Sequence, residues 1–288
     1  MKNFENAFAS TLEIACKEEY FDTIETPAKK GWDEAKWEPT MIEPIDYIGQ
    51  EKERISLLLP EARKGNVRAM SELGFLFLEY TNDVRAAVYW LSKAAKHDDA
   101  EALWHLASCY SDRRHKQCDA RASLKLLKRA ARLGHVPSMR RLGLYYEQAF
   151  SVPYDAKKAA GYYAQAAKQG DFESLYRLGR LYYMGRDIER DYNKAFELFS
   201  QAAAHPYAAD SQIRDELLFH DEGTQFKHDW HEVHEYVPYF LGLCFFHGRG
   251  TKRDVEQAAE WFQKAKENGN PHAQTMLKKC RDASIATK

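Results

Sequence analysis

Residues 142–170 read LGLYYEQAFSVPYDAKKAAGYYAQAAKQG, and this phrase indicates a pair of helices. It opens with a Leu-Gly pair and an aromatic residue, passes through an aspartate, and closes with a bulky pair and two alanines. Apolar residues fall at helical spacing on both sides of Asp155, so each half predicts one amphipathic helix. The aspartate is typical of a helix N-cap, because its carboxylate accepts hydrogen bonds from free amides of the first turn.

The phrase occurs five times along the chain. Its aspartates are Asp83, Asp119, Asp155, Asp191 and Asp254. Successive aspartates are 36 residues apart, except that the last interval is 63 and so holds 27 extra residues between Ala203 and Leu241. One helical hairpin cannot bury its own apolar face, so the copies are expected to stack on one another.

Small residues occur at two fixed places in the phrase. The first place follows the opening leucine, in the pairs Leu73-Gly74, Leu106-Ala107, Leu142-Gly143, Leu178-Gly179 and Leu241-Gly242. A small residue there lets the second helix approach closely. The second place follows the second helices, where Gly65, Gly134, Gly170 and Gly269 predict left-handed C-caps.

The phrase resembles the Sel1-like repeat, a relative of the tetratricopeptide repeat, in its small–Leu–Gly–aromatic, Asp–Ala–aromatic–aromatic and Ala–Ala–Gly landmarks. The resemblance covers roughly residues 52–280. It implies an all-α fold, a right-handed α/α solenoid of stacked helical hairpins. The family's Gly-rich loop between the two helices is present at Gly185 and at Gly248–Gly250, but it is missing from the first three copies.

Four segments are expected. Residues 1–50 carry a net charge of −6 and are interpreted as an N-terminal cap, with an arm that binds or occludes the groove as the alternative. Residues 51–280 form the solenoid, with five full copies and a partial copy at each end. An inserted segment at about 207–236 also has a net charge of −6, and residues 281–288 form a tail.

The insertion is rich in histidine. His228, His231 and His234 lie among acidic residues and are weak candidates for metal ligands. The spacing is not that of an H-E-x-x-H motif, so a polar solvated loop or a pH-sensitive contact surface is the favoured interpretation. No metal and no cofactor are therefore predicted.

Composition and motifs narrow the function classes. The chain has no phosphate-binding loop, dinucleotide fingerprint or nucleophile elbow, which argues against an enzyme. A formal charge of −1 makes nucleic-acid binding unlikely, and the longest apolar run, 239–246, is too short to span a membrane. Five irregularly spaced cysteines and no secretory signal predict a reduced, cytoplasmic protein.

The resemblance places the first helices of the repeats on the concave face of the solenoid. Partner-binding candidates on that face are Trp104, Arg140, Tyr176, Arg180, Tyr183, Tyr239 and Phe246. Trp, Tyr and Arg dominate interface energetics, although several of these aromatics could instead pack against the next repeat. Residues 101–150 hold 10 basic and 4 acidic residues, which favours an acidic segment of a protein partner or the chain's own acidic arm.

The expected function is therefore a protein–protein interaction module. The resemblance implies a bacterial adaptor, regulator or neutralising partner. Three alternatives remain open: an immunity protein against a bacterial toxin, a metal-dependent enzyme that uses the His-rich insertion, and a nucleic-acid binder that uses the basic face.

Overall fold

The computed structural model describes residues 49–80, 83–111, 119–205 and 229–286. The chain divides into two compact units, Met1–Glu43 and Pro44–Lys288, and the described residues belong to the second. Of the predicted N-terminal segment 1–50, only its last two residues are described, at the start of the first helix.

The described residues form twelve α-helices and no β-strand. The helices are α1 Gly49–Arg63, α2 Val67–Glu79, α3 Val84–Ala95, α4 Ala100–Ser111, α5 Ala120–Arg132, α6 Val136–Glu147, α7 Ala156–Ala167, α8 Phe172–Met184, α9 Tyr192–Ala203, α10 Asp229–His247, α11 Val255–Glu267 and α12 Ala273–Ala286. Five antiparallel pairs, α2–α3 to α10–α11, correspond to the five copies of the phrase, and each pair packs on the next. The predicted all-α solenoid is thus confirmed.

The aspartates cap the second helices as predicted. Each carboxylate accepts a hydrogen bond from a first-turn amide at 2.9–3.1 Å. In all five repeats the aspartate's own N–H also closes the loop, because it donates at 2.8–3.1 Å to the carbonyl of the aromatic residue four positions after the opening leucine. These aromatic residues are Phe77, Tyr110, Tyr146, Tyr182 and Phe245. One residue therefore ends the loop and starts the second helix.

The opening glycines let the two helices of a repeat touch. A Cβ atom added to Gly143 would lie 2.4 Å from the Tyr163 ring, and one added to Gly179 would lie 2.8 Å from the Phe199 ring. Gly74 and Gly242 face side chains of their own second helices in the same way. The predicted role of the small residue is confirmed at these positions.

The loop between the helices keeps one backbone conformation in the last three repeats. Gly185 and Gly248 have positive φ angles of 60° and 64°, and Ala149 takes the same place with φ 55°. Two residues later, Ser151, Asp187 and Gly250 are positive as well, at 58°, 61° and 75°. The third repeat thus forms this loop without glycine.

Helix α10 is longer than the other first helices and begins inside the predicted insertion. Pro238 lies within it and cannot donate to the carbonyl of His234, but Asn268 Nδ2 donates to that carbonyl at 2.8 Å. Val233 and Val237 are buried in the core of the fourth repeat. The end of the segment 207–236 is therefore part of the packed stack, while residues 207–228 lie outside the described residues.

Candidate functional site

Helices α2, α4, α6, α8 and α10, the first of each pair, form one surface, here called the first-helix face. Neighbouring first helices contact each other directly, as α2 does with α4 and α8 with α10. Polar contacts cross the repeats as well, because Ser71 Oγ donates to Asp99 Oδ1 at 2.9 Å and Arg141 Nη1 donates to Ser108 Oγ at 2.8 Å. A ligand lying on this face would touch several repeats at once.

The part of the face in the first three repeats, the aromatic half, is built on Trp104. The His105 ring centroid lies 4.7 Å from the Trp104 ring and 5.0 Å from that of Phe75. The Arg141 guanidinium lies over the Trp104 ring at 5.3 Å. The ring of His135, which directly precedes α6, has its centroid 5.9 Å from that of Trp104. Phe75, Trp104 and His105 are half-buried, so part of each ring remains accessible.

Two histidines give the aromatic half its titratable groups. Burial lowers the pKa of His105 to about 4, so this ring is neutral at pH 7. His135 caps α6, since its Nδ1 accepts from the Ser138 amide at 3.3 Å. Its other nitrogen, Nε2, lies 3.3 Å from Glu101 Oε1, and the closeness of His135 lowers the pKa of that carboxyl group.

The part of the face in the third and fourth repeats, the charged half, contains three arginines and three carboxylates. Its members are Arg140, Glu147, Asp171, Glu173, Arg177 and Arg180. Arg177 Nε donates to Glu173 Oε1 at 2.8 Å, and both side chains are almost fully buried. Arg140 joins the network by bonding Asp171 at 2.6 Å, and Arg180 pairs with Glu147.

The network holds the carboxylate of Glu147 in the charged form. Burial works to raise the pKa of Glu147, but Arg180 and Arg177 outweigh it and leave that pKa below its usual range. Tyr163 Oη donates to the same carboxylate at 2.7 Å, while burial raises the pKa of the tyrosine. The charges of this half therefore largely cancel within the protein.

The match to known proteins follows the same repeats. The family model for the Sel1 repeat matches residues 67–99, 100–135, 136–171, 172–207 and 239–270, which together make up more than half of the chain. The chain belongs to the Sel1 repeat family. Sel1 repeats generally serve as protein–protein interaction modules, and proteins built from them are typically non-enzymatic scaffolds.

Solved structures of Sel1 repeat proteins are similar to this chain. A Sel1 repeat protein from Oxalobacter formigenes is 21% identical with a TM-score of 0.57, over 83% of this chain and 96% of that one. A protective antigen from uropathogenic Escherichia coli with an SLR fold is 25% identical with a TM-score of 0.49, over 77% and 50% of the two chains. No curated protein matches the chain.

Five of the seven predicted contact residues of this Sel1 repeat protein are half-buried. They are Trp104, Arg140, Arg180, Tyr239 and Phe246. The other two are core residues, because Tyr176 is 1% exposed and Tyr183 is 6% exposed. A buried ring has almost no surface to lose on binding, so these two tyrosines are left out of the contact surface proposed below.

Arg249, which contacts Tyr183, was not identified from the sequence as a residue of the site. Arg249 Nη1 donates to Tyr183 Oη at 2.7 Å, and its guanidinium lies over the rings of Tyr183 and Tyr192. From the sequence, residues 248–252 are interpreted only as the loop between the two helices of the repeat. The available signal was that an arginine follows the loop glycine in both the fourth and the fifth Sel1 repeats.

The metal candidates are only partly described. The His234 ring lies 5.4 Å from Phe172, while His228 and the side chain of His231 lie outside the described residues. Among the residues that the structure does describe, no group of three or more His, Cys, Asp or Glu is arranged to hold a metal ion. Within the same residues, no helix is long and apolar enough to cross a membrane.

Proposed function

We propose that this Sel1 repeat protein binds a segment of a protein partner along the first-helix face, as an adaptor, regulator or neutralising partner. The observation that carries the proposal is the aromatic half, where Phe75 and Trp104 on successive repeats leave part of their rings accessible. Large rings that are already held in place lose water on binding at little cost in conformational entropy.

The two halves of the face support different parts of this proposal. In the charged half each arginine already contacts a carboxylate of the protein, so it offers little unbalanced charge to an acidic partner. The aromatic half therefore supplies the main contact area, and Arg140 and Arg180 supply guanidinium edges at its border. No contact among the described residues favours toxin neutralisation or a metal-dependent reaction.

Site-specific photocrosslinking tests where the partner binds. A photoreactive phenylalanine at Phe75, and in a second variant at Trp104, should crosslink a partner in cells that express the native protein. The matched control places the same group at Gln165, an exposed residue of the second helix α7. Equal crosslinking from Gln165 would contradict the proposal.

Titration calorimetry with the crosslinked partner then measures the contribution of the anchor. Trp104→Ala should weaken binding about 30-fold, the usual effect of removing an interface hot spot. Lys157→Ala, at an exposed position of α7, should leave the affinity unchanged. Normal binding by the Trp104 variant would show that the aromatic half is not the contact surface.

We also infer a reducing compartment for the protein. Cys244 and Cys280 are buried thiols, and burial raises the pKa of Cys244 to about 12. Thiols in this state pack as small apolar groups and react slowly. Both observations support the cytoplasmic location expected from the sequence.

A further inference from the structure

The inter-helix loops of the fourth and fifth repeats share one pattern. Residues 185–191 read GRDIERD and residues 248–254 read GRGTKRD, so both have the form Gly-Arg-x-x-x-Arg-Asp. The two loops join the first to the second helix in adjacent repeats, which places them side by side at one edge of the stack. Gly250 seals this contact, because a Cβ added there would lie 2.0 Å from the Tyr192 carbonyl oxygen.

Tyr192 brings an arginine of each loop together. The Arg249 guanidinium carbon lies 5.0 Å from the centre of the Tyr192 ring, and that of Arg190 lies 5.7 Å from it. The two guanidinium carbons are therefore at most about 11 Å apart. Hydrogen bonds fix both groups, since Arg249 donates to Tyr183 at 2.7 Å and Arg190 Nη2 donates to the Met184 carbonyl at 3.0 Å.

These two arginines differ from those of the charged half in their partners. Arg140, Arg177 and Arg180 each contact a carboxylate. Across the described ranges, neither Arg249 nor Arg190 has a carboxylate oxygen within 4.0 Å. Both are held by tyrosine faces and neutral acceptors, which leaves their remaining N–H groups to bind an anion.

We propose that Arg190 and Arg249 form a binding site for two carboxylates of an acidic segment in the protein partner. In an extended peptide, residues two or three positions apart are separated by roughly 7–10 Å, which lies within the upper limit for the separation of the two guanidiniums. Acidic residues at such intervals would each meet one arginine. The inference rests on the proposed function, because it adds the chemistry of the bound segment where that segment reaches the loops of the fourth and fifth repeats.

A protein segment fits this site better than a nucleic acid does. The loop 185–191 also contains Asp187, Glu189 and Asp191, so its net charge is −1, while that of 248–254 is +2. A continuous phosphate backbone would pass close to those acids. Separate carboxylates on a peptide can meet the arginines individually and avoid them.

Fluorescence anisotropy with a labelled peptide tests the site. The probe is a twelve-residue Gly-Ser peptide with glutamate at every third position, at about 0.02 M salt. Saturable binding is expected, and Arg249→Gln should weaken it about tenfold while Arg190→Gln weakens it several-fold. Arg249→Lys, which keeps the charge but loses the planar fork, should fall between the wild type and Arg249→Gln.

Lys252→Gln is the matched control, because it removes one positive charge from the same loop at an exposed position. It should change the affinity less than twofold, and each variant is first checked for an unchanged thermal midpoint. An equal loss in Lys252→Gln, no saturable binding of the peptide, or tighter binding of a single-stranded oligonucleotide would overturn the proposal. The peptide assay does not involve Trp104, so it can succeed or fail independently of the first-helix face.

Discussion

The two halves of the first-helix face use the same positions of the repeat for different chemistry. His105 in the second repeat and Arg177 in the fourth both precede the landmark leucine, and Glu101 and Glu173 both lie four residues before them. In the fourth repeat this pair is a buried ion pair of 2.8 Å, whereas in the second repeat Glu101 is exposed and His105 is neutral. The repeat thus specifies where a polar pair lies but not whether its charge is permanent.

The largest expected effect comes from breaking the permanent pair. Glu173→Gln leaves Arg177 buried with a weaker partner, Glu147 at 3.6 Å, and should lower the free energy of unfolding by about 3 kcal/mol. Urea denaturation measures the change. Glu61→Gln, which breaks the exposed contact to Lys64, should leave the unfolding midpoint unchanged.

A double variant separates the charge from the packing. Glu173→Gln combined with Arg177→Met removes both buried charges and should recover most of the lost stability. If the double variant is as unstable as Glu173→Gln alone, the loss comes from packing. The charge of the Glu173–Arg177 pair would then not be what distinguishes its contribution to stability from that of the Glu101–His105 pair.

The aromatic half should respond to pH where the charged half does not. The pKa of His105 is about 4 in the folded protein against the ordinary histidine value of 6.5, so the unfolded chain takes up its proton first as the pH falls. Stability is therefore lost as the pH falls from about 6.5 towards 4, and between pH 7 and 5 the loss should be about 2 kcal/mol. Denaturation at both pH values checks this, and His105→Gln should reduce the loss by that amount.

The pKa of His105 is influenced by four charged or titratable groups, which are Glu101, Asp99, His135 and Arg141. All four remain in the His105→Gln variant. A difference between the wild type and this variant thus reports on His105 itself. If the two proteins lose the same stability between pH 7 and 5, His105 is not the pH-sensitive group.

The framework could be predicted from the sequence because the period repeats each landmark in space. Asp155 caps a helix and Gly143 meets Tyr163 as expected, since both contacts lie within one repeat. The burial of Tyr176 could not be predicted in this way. Phe240 of α10 contacts its ring, and Val233 and Val237 belong to the same buried cluster. Val233 lies in the segment 207–236, whose polar composition indicated a solvated loop.

Tyr183 shows a second limit of sequence reasoning. The residue that contacts it, Arg249, is 66 positions away in a loop that the repeat spacing does not distinguish from the other inter-helix loops.

The N-caps of the first helices are a third feature that the sequence did not reveal. Asn66, Asp99, His135 and Asp171 occupy one position and all accept from the first turn, but their chemical variety hid the pattern.

A pair of glycine substitutions tests the framework that both halves share. Gly143→Ala should lower the free energy of unfolding by about 1–2 kcal/mol, because the new methyl group would clash with the Tyr163 ring. Gly161→Ala, the same change with no atom within 4 Å, should instead raise it by about 0.5 kcal/mol. Chemical denaturation of both variants decides the point. A stabilising Gly143→Ala would show that close helix approach is not required there.

The smallest expected effect concerns the loop of the third repeat, which joins α6 of the charged half to α7. Ala149 has φ 55° where the next two repeats have glycine at 60° and 64°. An alanine side chain is strained in this region, so Ala149→Gly should raise the free energy of unfolding by about 0.5–1 kcal/mol. Ala164→Gly, inside helix α7, should lower it by about 1 kcal/mol, because glycine adds conformational freedom to the unfolded chain and removes a methyl group that packs against the core. Opposite signs in denaturation experiments would show that stacking of the repeats imposes the loop conformation on a residue that does not favour it. A loss of stability in both variants would mean that Ala149 leaves the left-handed region in solution, and the third repeat would then differ from its neighbours in backbone as well as in side chains.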